Sequence, residues 1–155
     1  GITGFSWGGV VSMLTATKRY SDQYLGAGLK FAAHAPNYPV CWVYNRVPGY
    51  EFKELTGAPI LLQAGELDTY DLPDTCATLA KSLGNEASGL ITLKTYAGAG
   101  HGWDRSEPAM TVEDPYSHLG KGGQVLMAGN EAVAQKSRGA TVAFFRCAFG
   151  LGSCH

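Results

Sequence analysis

Residues 1–9 read Gly-Ile-Thr-Gly-Phe-Ser-Trp-Gly-Gly, and positions 4–8 fit the pattern Gly-x-Ser-x-Gly. The stretch before Ser6 suits the end of a buried strand. From Trp7 to about Arg19, the apolar residues Val10, Val11, Met13, Leu14 and Ala16 suit a largely buried helix. A serine on a sharp strand-to-helix turn lifts its hydroxyl above the sheet. Flanking glycines leave room for that turn. The following N–H, that of Trp7, then sits at a helix N-terminus, where it can bind an oxyanion. The pattern alone is weak in a chain with 21 glycines. Its setting between a strand and a helix gives it weight.

Working outward, Ala27–Ala35 is short, apolar and followed by Pro36, which reads as a strand over 27–34. Residues 36–57 carry no sustained period and read as an irregular connection. Residues 59–64 (PILLQA) form a continuous apolar run closed by Gly65, as a central parallel strand does. Residues 73–83 hold Cys76, Leu79, Ala80 and Leu83 at helical spacing, with Pro73 near the first turn and Gly84 as a stop. Residues 90–96 alternate like an outer strand. The Gly- and Pro-rich segment 97–129 reads as a long loop. A helix follows from the N-cap Asn130 to Phe149. The expected fold is α/β, with four parallel strands in sequence order and one domain over residues 1–155.

Chemistry in such sheets collects just beyond the carboxyl ends of strands. Asp68 lies there after PILLQAG, with Asp71 and Asp74 as competitors; Asp74 looks more like a helix N-cap. His101, in AGAGHGWD after the 90–96 strand, is flanked by small residues that let an imidazole reach a shared site. His118 and His155 follow no strand, whereas His34 lies near the end of one and reads as a pocket residue. The chain order Ser6, Asp68, His101 is the order of α/β-hydrolases. Trp7, Tyr38, Trp42 and Trp103 fall in loops near these three; Tyr38, Trp42 and Trp103, with His34, are candidates to contact substrate, the other reading being plain packing.

The bulk properties exclude more than they select. A formal charge of −1 gives no reason to expect nucleic acid or an anionic membrane as partner. Nothing approaches the roughly 18 apolar residues of a membrane span. No ligand spacing implies a metal, and no motif implies an organic cofactor. The four cysteines allow two pairs. Cys41 and Cys76 follow strands that would be neighbours, which puts both above one end of the sheet within disulfide range. Cys147 and Cys154 flank Gly150 and Gly152 and can close a small loop. Two such pairs point toward export, to the periplasm or beyond; the other reading is four reduced, buried thiols in a cytosolic protein.

The stretches GITGFSWGG, FAAHAPNYPVCW, APILLQAGELDTYDLPDTC, YAGAGHGWD and VAFFRCAFG together resemble the dienelactone hydrolase-like branch of the α/β-hydrolases. The resemblance spans nearly the whole chain. It implies the α/β-hydrolase fold, a catalytic set of Ser6, Asp68 and His101, and a carboxylic ester or lactone as substrate. The founding members carry cysteine where Ser6 stands here, which turns the expected substrate away from dienelactone itself. That family also has about half a domain upstream of the nucleophile turn, including a second oxyanion donor. The resemblance therefore implies that this chain is the C-terminal part, a fragment or one piece of a cleaved protein, with the N-terminal half of the sheet absent from it; a companion chain is one source of that half. The expected function is a serine hydrolase acting through an acyl-enzyme. The alternatives are an inert fragment, or a peptidase or acyltransferase on the same fold.

Overall fold

A computed structural model describes residues 1–26, 28–87 and 89–153. Strands β1 (Ile2–Phe5), β2 (His34–Asn37), β3 (Ile60–Gly65) and β4 (Ile91–Tyr96) form a parallel sheet in the order β1-β2-β3-β4. The parallel arrangement and the sequence order are as expected. β2 is displaced: it begins at His34, where the strand was expected to end, and Ala27 lies outside the described residues. Leu29 is exposed and Gly28 has a φ of +79°, so the apolar run before His34 is not strand. Pro36 misled the reading, because it sits inside β2 rather than closing it. His34 and Tyr38 donate to Pro59 and Gln63 of the neighbouring chain segment at 3.0 and 2.8 Å. Pro36, midway between them, leaves that one rung of the ladder empty.

Side chains alternate across the strands, which gives the sheet two differently covered faces. Ile60, Leu62 and Ala64 share a core with Val10 and Met13 of helix α1 (Trp7–Leu14) and Cys76 and Leu79 of helix α3 (Thr75–Ser82). On the opposite face Gln63 donates to Thr141 of the long helix α5 (Glu131–Ala148) at 3.0 Å and to Asn37 at 2.9 Å. Tyr38, Ala99 and Trp103 pack there with Val133 and Ala134 of α5. Asn130 caps α5 as expected, its side chain accepting from Val133 N at 3.2 Å.

A second helix and a hairpin were not foreseen. The helix expected to reach about Arg19 ends at Leu14, and a separate helix, α2 (Lys18–Tyr24), follows after residues 15–17. The segment expected as a loop contains an antiparallel hairpin, β5 (Met110–Asp114) and β6 (Gly123–Met127), with the short turn α4 (Ser117–Gly120) between its strands. Val125 is the only buried residue of its two strands, so the hairpin carries little apolar alternation to read. It lies beside the His101 loop, with a bridge between His101 and Met127. The outer edge of β1 has no strand beside it among the described residues. No described helix is long and apolar enough to cross a membrane.

Candidate active site

Ser6 stands between β1 and α1 with φ 51° and ψ −117°, a conformation a non-glycine residue adopts only at a cost of about 1–3 kcal/mol. Its N–H donates to Asn37 O at 3.0 Å, and its carbonyl accepts from Val10 N at the same distance. The neighbouring glycines differ in role. A Cβ on Gly9 would come within 2.7 Å of Asn37 O and one on Gly4 would strike the backbone of Gly8, whereas one on Gly8 would meet nothing within 4 Å. Room is thus needed before the serine and at Gly9, not at Gly8. Trp7 is the first residue of α1, so its N–H is outside the helical ladder and available to an anion.

Asp68 and His101 come from the loops after β3 and β4. The two loops are stitched together: Leu67 N donates to Ala99 O at 2.9 Å and Glu66 N to Tyr96 O at 3.0 Å. Gly65 allows the approach, since a Cβ there would lie 2.4 Å from Ala99 O. His101 Nε2 lies 2.8 Å from Ser6 Oγ, and His101 Nδ1 lies 2.8 Å from Asp68 Oδ2. A carboxylate only accepts, so Nδ1 carries the proton and the Nε2 lone pair faces the hydroxyl. The other carboxylate oxygen, Oδ1, accepts from Tyr70 N at 3.0 Å. Asp68 and His101 are both buried. In this arrangement the imidazole can accept the Ser6 proton while the carboxylate faces the ring's far side.

The competitors lie elsewhere. Asp71 accepts from the N–H groups of Cys41 and Trp42 at 2.6 and 2.8 Å, and burial pushes its carboxyl up to about 7. Asp74 stands at the N-cap position of α3 but makes no side-chain cap. His118 reaches only Gln124 O, at 3.2 Å, and His155 lies outside the described residues.

Of the four residues expected to contact substrate, two are corrected. His34 opens β2 and so sits at the far end of the sheet from Ser6. It is fully buried, with Nδ1 on Ser12 O at 2.9 Å, and burial lowers it from 6.5 to about 4. Trp103 is also fully buried, its Nε1 donating to Ser137 at 3.1 Å; it is core beneath Tyr38. Tyr38 lies against the imidazole, its ring 4.7 Å from that of His101 and its hydroxyl on Asp104, but it too is buried. Trp42 is half-buried, with Nε1 on the Tyr116 carbonyl at 3.1 Å.

Cys41 and Cys76 form a disulfide, Cα–Cα 5.1 Å, across a sequence separation of 35. Constraining the unfolded chain in this way contributes about 4 kcal/mol. Together with Asp71 the bridge holds the segment in which Tyr38 and Val40 take φ values of 38° and 53°. Asp71 and the two sulfurs form the one cluster of metal-ligand type among the described residues, and the S–S bond removes both thiolates from it. The expected partner of Cys147, Cys154, lies outside the described residues.

Sequence reasoning missed Tyr70, whose ring centroid is 4.4 Å from that of His101 and whose hydroxyl donates to Asp114 at 2.6 Å. Its place two residues after Asp68 was the available signal.

The solved structure of Thermogutta terrifontis esterase 2, phosphorylated by paraoxon, is similar to this chain with a TM-score of 0.56 and 16% identity. The match covers 99% of this chain and 55% of that one, so the chain spans about half the length of that enzyme. The shared feature is the α/β-hydrolase fold. Comparison with curated protein sequences finds no match. Residues 1–149, which include Ser6, Asp68 and His101, match the dienelactone hydrolase family, and the chain belongs to that family.

Proposed function

We propose that the protein is a serine hydrolase that cleaves carboxylic esters or lactones through an acyl-enzyme. The observation that carries this reading is the continuous path from Ser6 Oγ to His101 Nε2 and from His101 Nδ1 to Asp68 Oδ2, each step 2.8 Å. Ser6 attacks the ester carbonyl as His101 takes its proton. The alkoxide departs with that proton, leaving the acyl group on Ser6. A water, deprotonated by His101, then releases the acid. Asp68 holds the ring tautomer and balances the imidazolium. The N–H of Trp7 donates to the oxyanion. Membership of the dienelactone hydrolase family and the fold shared with an esterase support an ester-type substrate.

The test is covalent labelling by a fluorophosphonate, with Ser6→Ala as control and peptide mapping of the adduct. Labelling confined to Ser6 is the expected result. An unlabelled, folded wild-type chain points to the inert reading. Hydrolysis of short p-nitrophenyl esters, set against peptide substrates, then decides between esterase and peptidase.

A further inference from the structure

The His101 imidazole is 2% exposed, and its two nitrogens are fixed by Ser6 and Asp68. The ring is also tied to the backbone through Cβ, but hydrogen bonds are soft, so small swings about χ1 and χ2 still turn the N–H and the lone pair away from their partners. Contact with a neighbouring ring closes this freedom.

Tyr70 supplies such a contact and is tied to the array in two further ways. Its ring centroid is 4.4 Å from that of His101. Its backbone N–H donates to Asp68 Oδ1 at 3.0 Å, leaving Oδ2 for the imidazole. Its hydroxyl donates to Asp114 Oδ2 on β5 at 2.6 Å. Tyr70 is 5% exposed, so its ring has almost no surface left for a substrate. Burial, and then the bond to Asp114, push the phenol up, and it remains a donor across the neutral range.

We infer that Tyr70 is a positioning residue: its ring fixes the plane of His101, and Asp114 on the β5–β6 hairpin keeps that ring from turning away. The inference rests on the Ser6–His101–Asp68 reading above. Tyr38 touches His101 from a separate loop, with its hydroxyl on Asp104. Each tyrosine in contact with the imidazole is therefore anchored by its own carboxylate.

The test compares Tyr70→Phe, Tyr70→Leu and Asp114→Ala in the whole chain. One readout needs no turnover: the far-downfield proton resonance of His101 Nδ1–H, assigned by its loss in His101→Gln. The other is kinetic: the fluorophosphonate labelling rate of Ser6, with kcat and KM on a p-nitrophenyl ester. Tyr70→Leu is expected to broaden the resonance and lower the labelling rate and kcat on the order of 10- to 100-fold, with KM within about twofold. Tyr70→Phe and Asp114→Ala keep a ring but lose its anchor, and are expected to match each other at about 3- to 10-fold. If Tyr70→Leu does not fold, those two variants carry the test, and wild-type resonance and rate in both overturn the inference. A folded Tyr70→Leu with an unchanged resonance and rate also overturns it, as does a loss confined to KM. If the wild type is not labelled at Ser6, the functional reading fails, while the resonance still decides the role of Tyr70.

Discussion

Gly4 and Gly8 meet backbone to side-chain position: a Cβ on Gly4 would lie 2.0 Å from the carbonyl oxygen of Gly8, inside any attainable contact. The first turn of α1 therefore presses against the end of β1, and the turn carrying Ser6 closes only without a side chain at position 4. Gly4→Ala is expected to destabilise the protein by about 3 kcal/mol or more. Gly8→Ala, with open space around it in a helix, is expected to be neutral or to gain up to about 1 kcal/mol. Urea unfolding midpoints of the two variants check the contrast. Equal losses would show that the turn, not the contact, demands glycine.

Asp68 and Asp71 differ in their partners, an imidazole nitrogen for the first and two backbone N–H groups for the second. Asp68→Asn places an amide beside His101 Nδ1 and favours the wrong tautomer, and it is expected to slow labelling of Ser6 by about 10³- to 10⁴-fold. Asp71→Asn, which touches the backbone of Cys41 and Trp42 instead, is expected to stay within about tenfold of wild type. If Asp71→Asn proves the more damaging, the acid assignment moves to Asp71.

Two buried groups give stability opposite slopes with pH. His34, lowered to about 4 chiefly by burial, binds fewer protons folded than unfolded. Its contribution is present above pH 6.5 and is lost as pH falls toward 4. Asp71, raised to about 7 chiefly by burial, binds more protons folded than unfolded. Its contribution is present below about pH 4 and is lost as pH rises through 7. Between pH 5 and 6.5 each changes stability on the order of 1–2 kcal/mol in opposite directions. Asp71→Asn should therefore become more stable over that interval as pH rises, and His34→Gln less stable. Denaturation at the two pH values gives the signs.

Ser6, Asp68 and His101 were legible because parallel strands bring their carboxyl ends to one side. Phe5, Gly65 and Tyr96 close β1, β3 and β4 there, and the three residues follow them. His34 was misplaced because Pro36 resembles a strand end yet lies within β2. The hairpin escaped notice because nearly all its residues stay wet. Tyr70 lay next to Asp68 in sequence, but nothing in a tyrosine's identity says that its ring will turn onto an imidazole and its hydroxyl onto Asp114.

The end of the last helix and the residues just beyond it form an apolar patch near β1, whose outer edge has no strand beside it among the described residues. Val142, Phe149 and Leu151 are exposed, Phe5 is exposed on β1, and the Phe145 ring lies against Gly1. Such a surface binds anilinonaphthalene dyes. The combined change Val142→Ser and Phe149→Ser is expected to cut dye fluorescence at least about twofold while leaving the melting curve within a few degrees. Undiminished fluorescence would place the dye elsewhere.

The Cys41–Cys76 bridge also changes how the chain bears load. All of β3, and Asp68 with it, lies between the joined residues, inside a covalent ring. Cutting the ring at exposed Arg46 or Lys53 opens it without freeing a piece. Tension applied between the chain ends passes through the sulfur–sulfur bond and bypasses β3 altogether. Pulled to full extension, the oxidised chain should be shorter than the reduced one by roughly 120 Å, the length of the separation of 35 that the bridge takes out of the line of force.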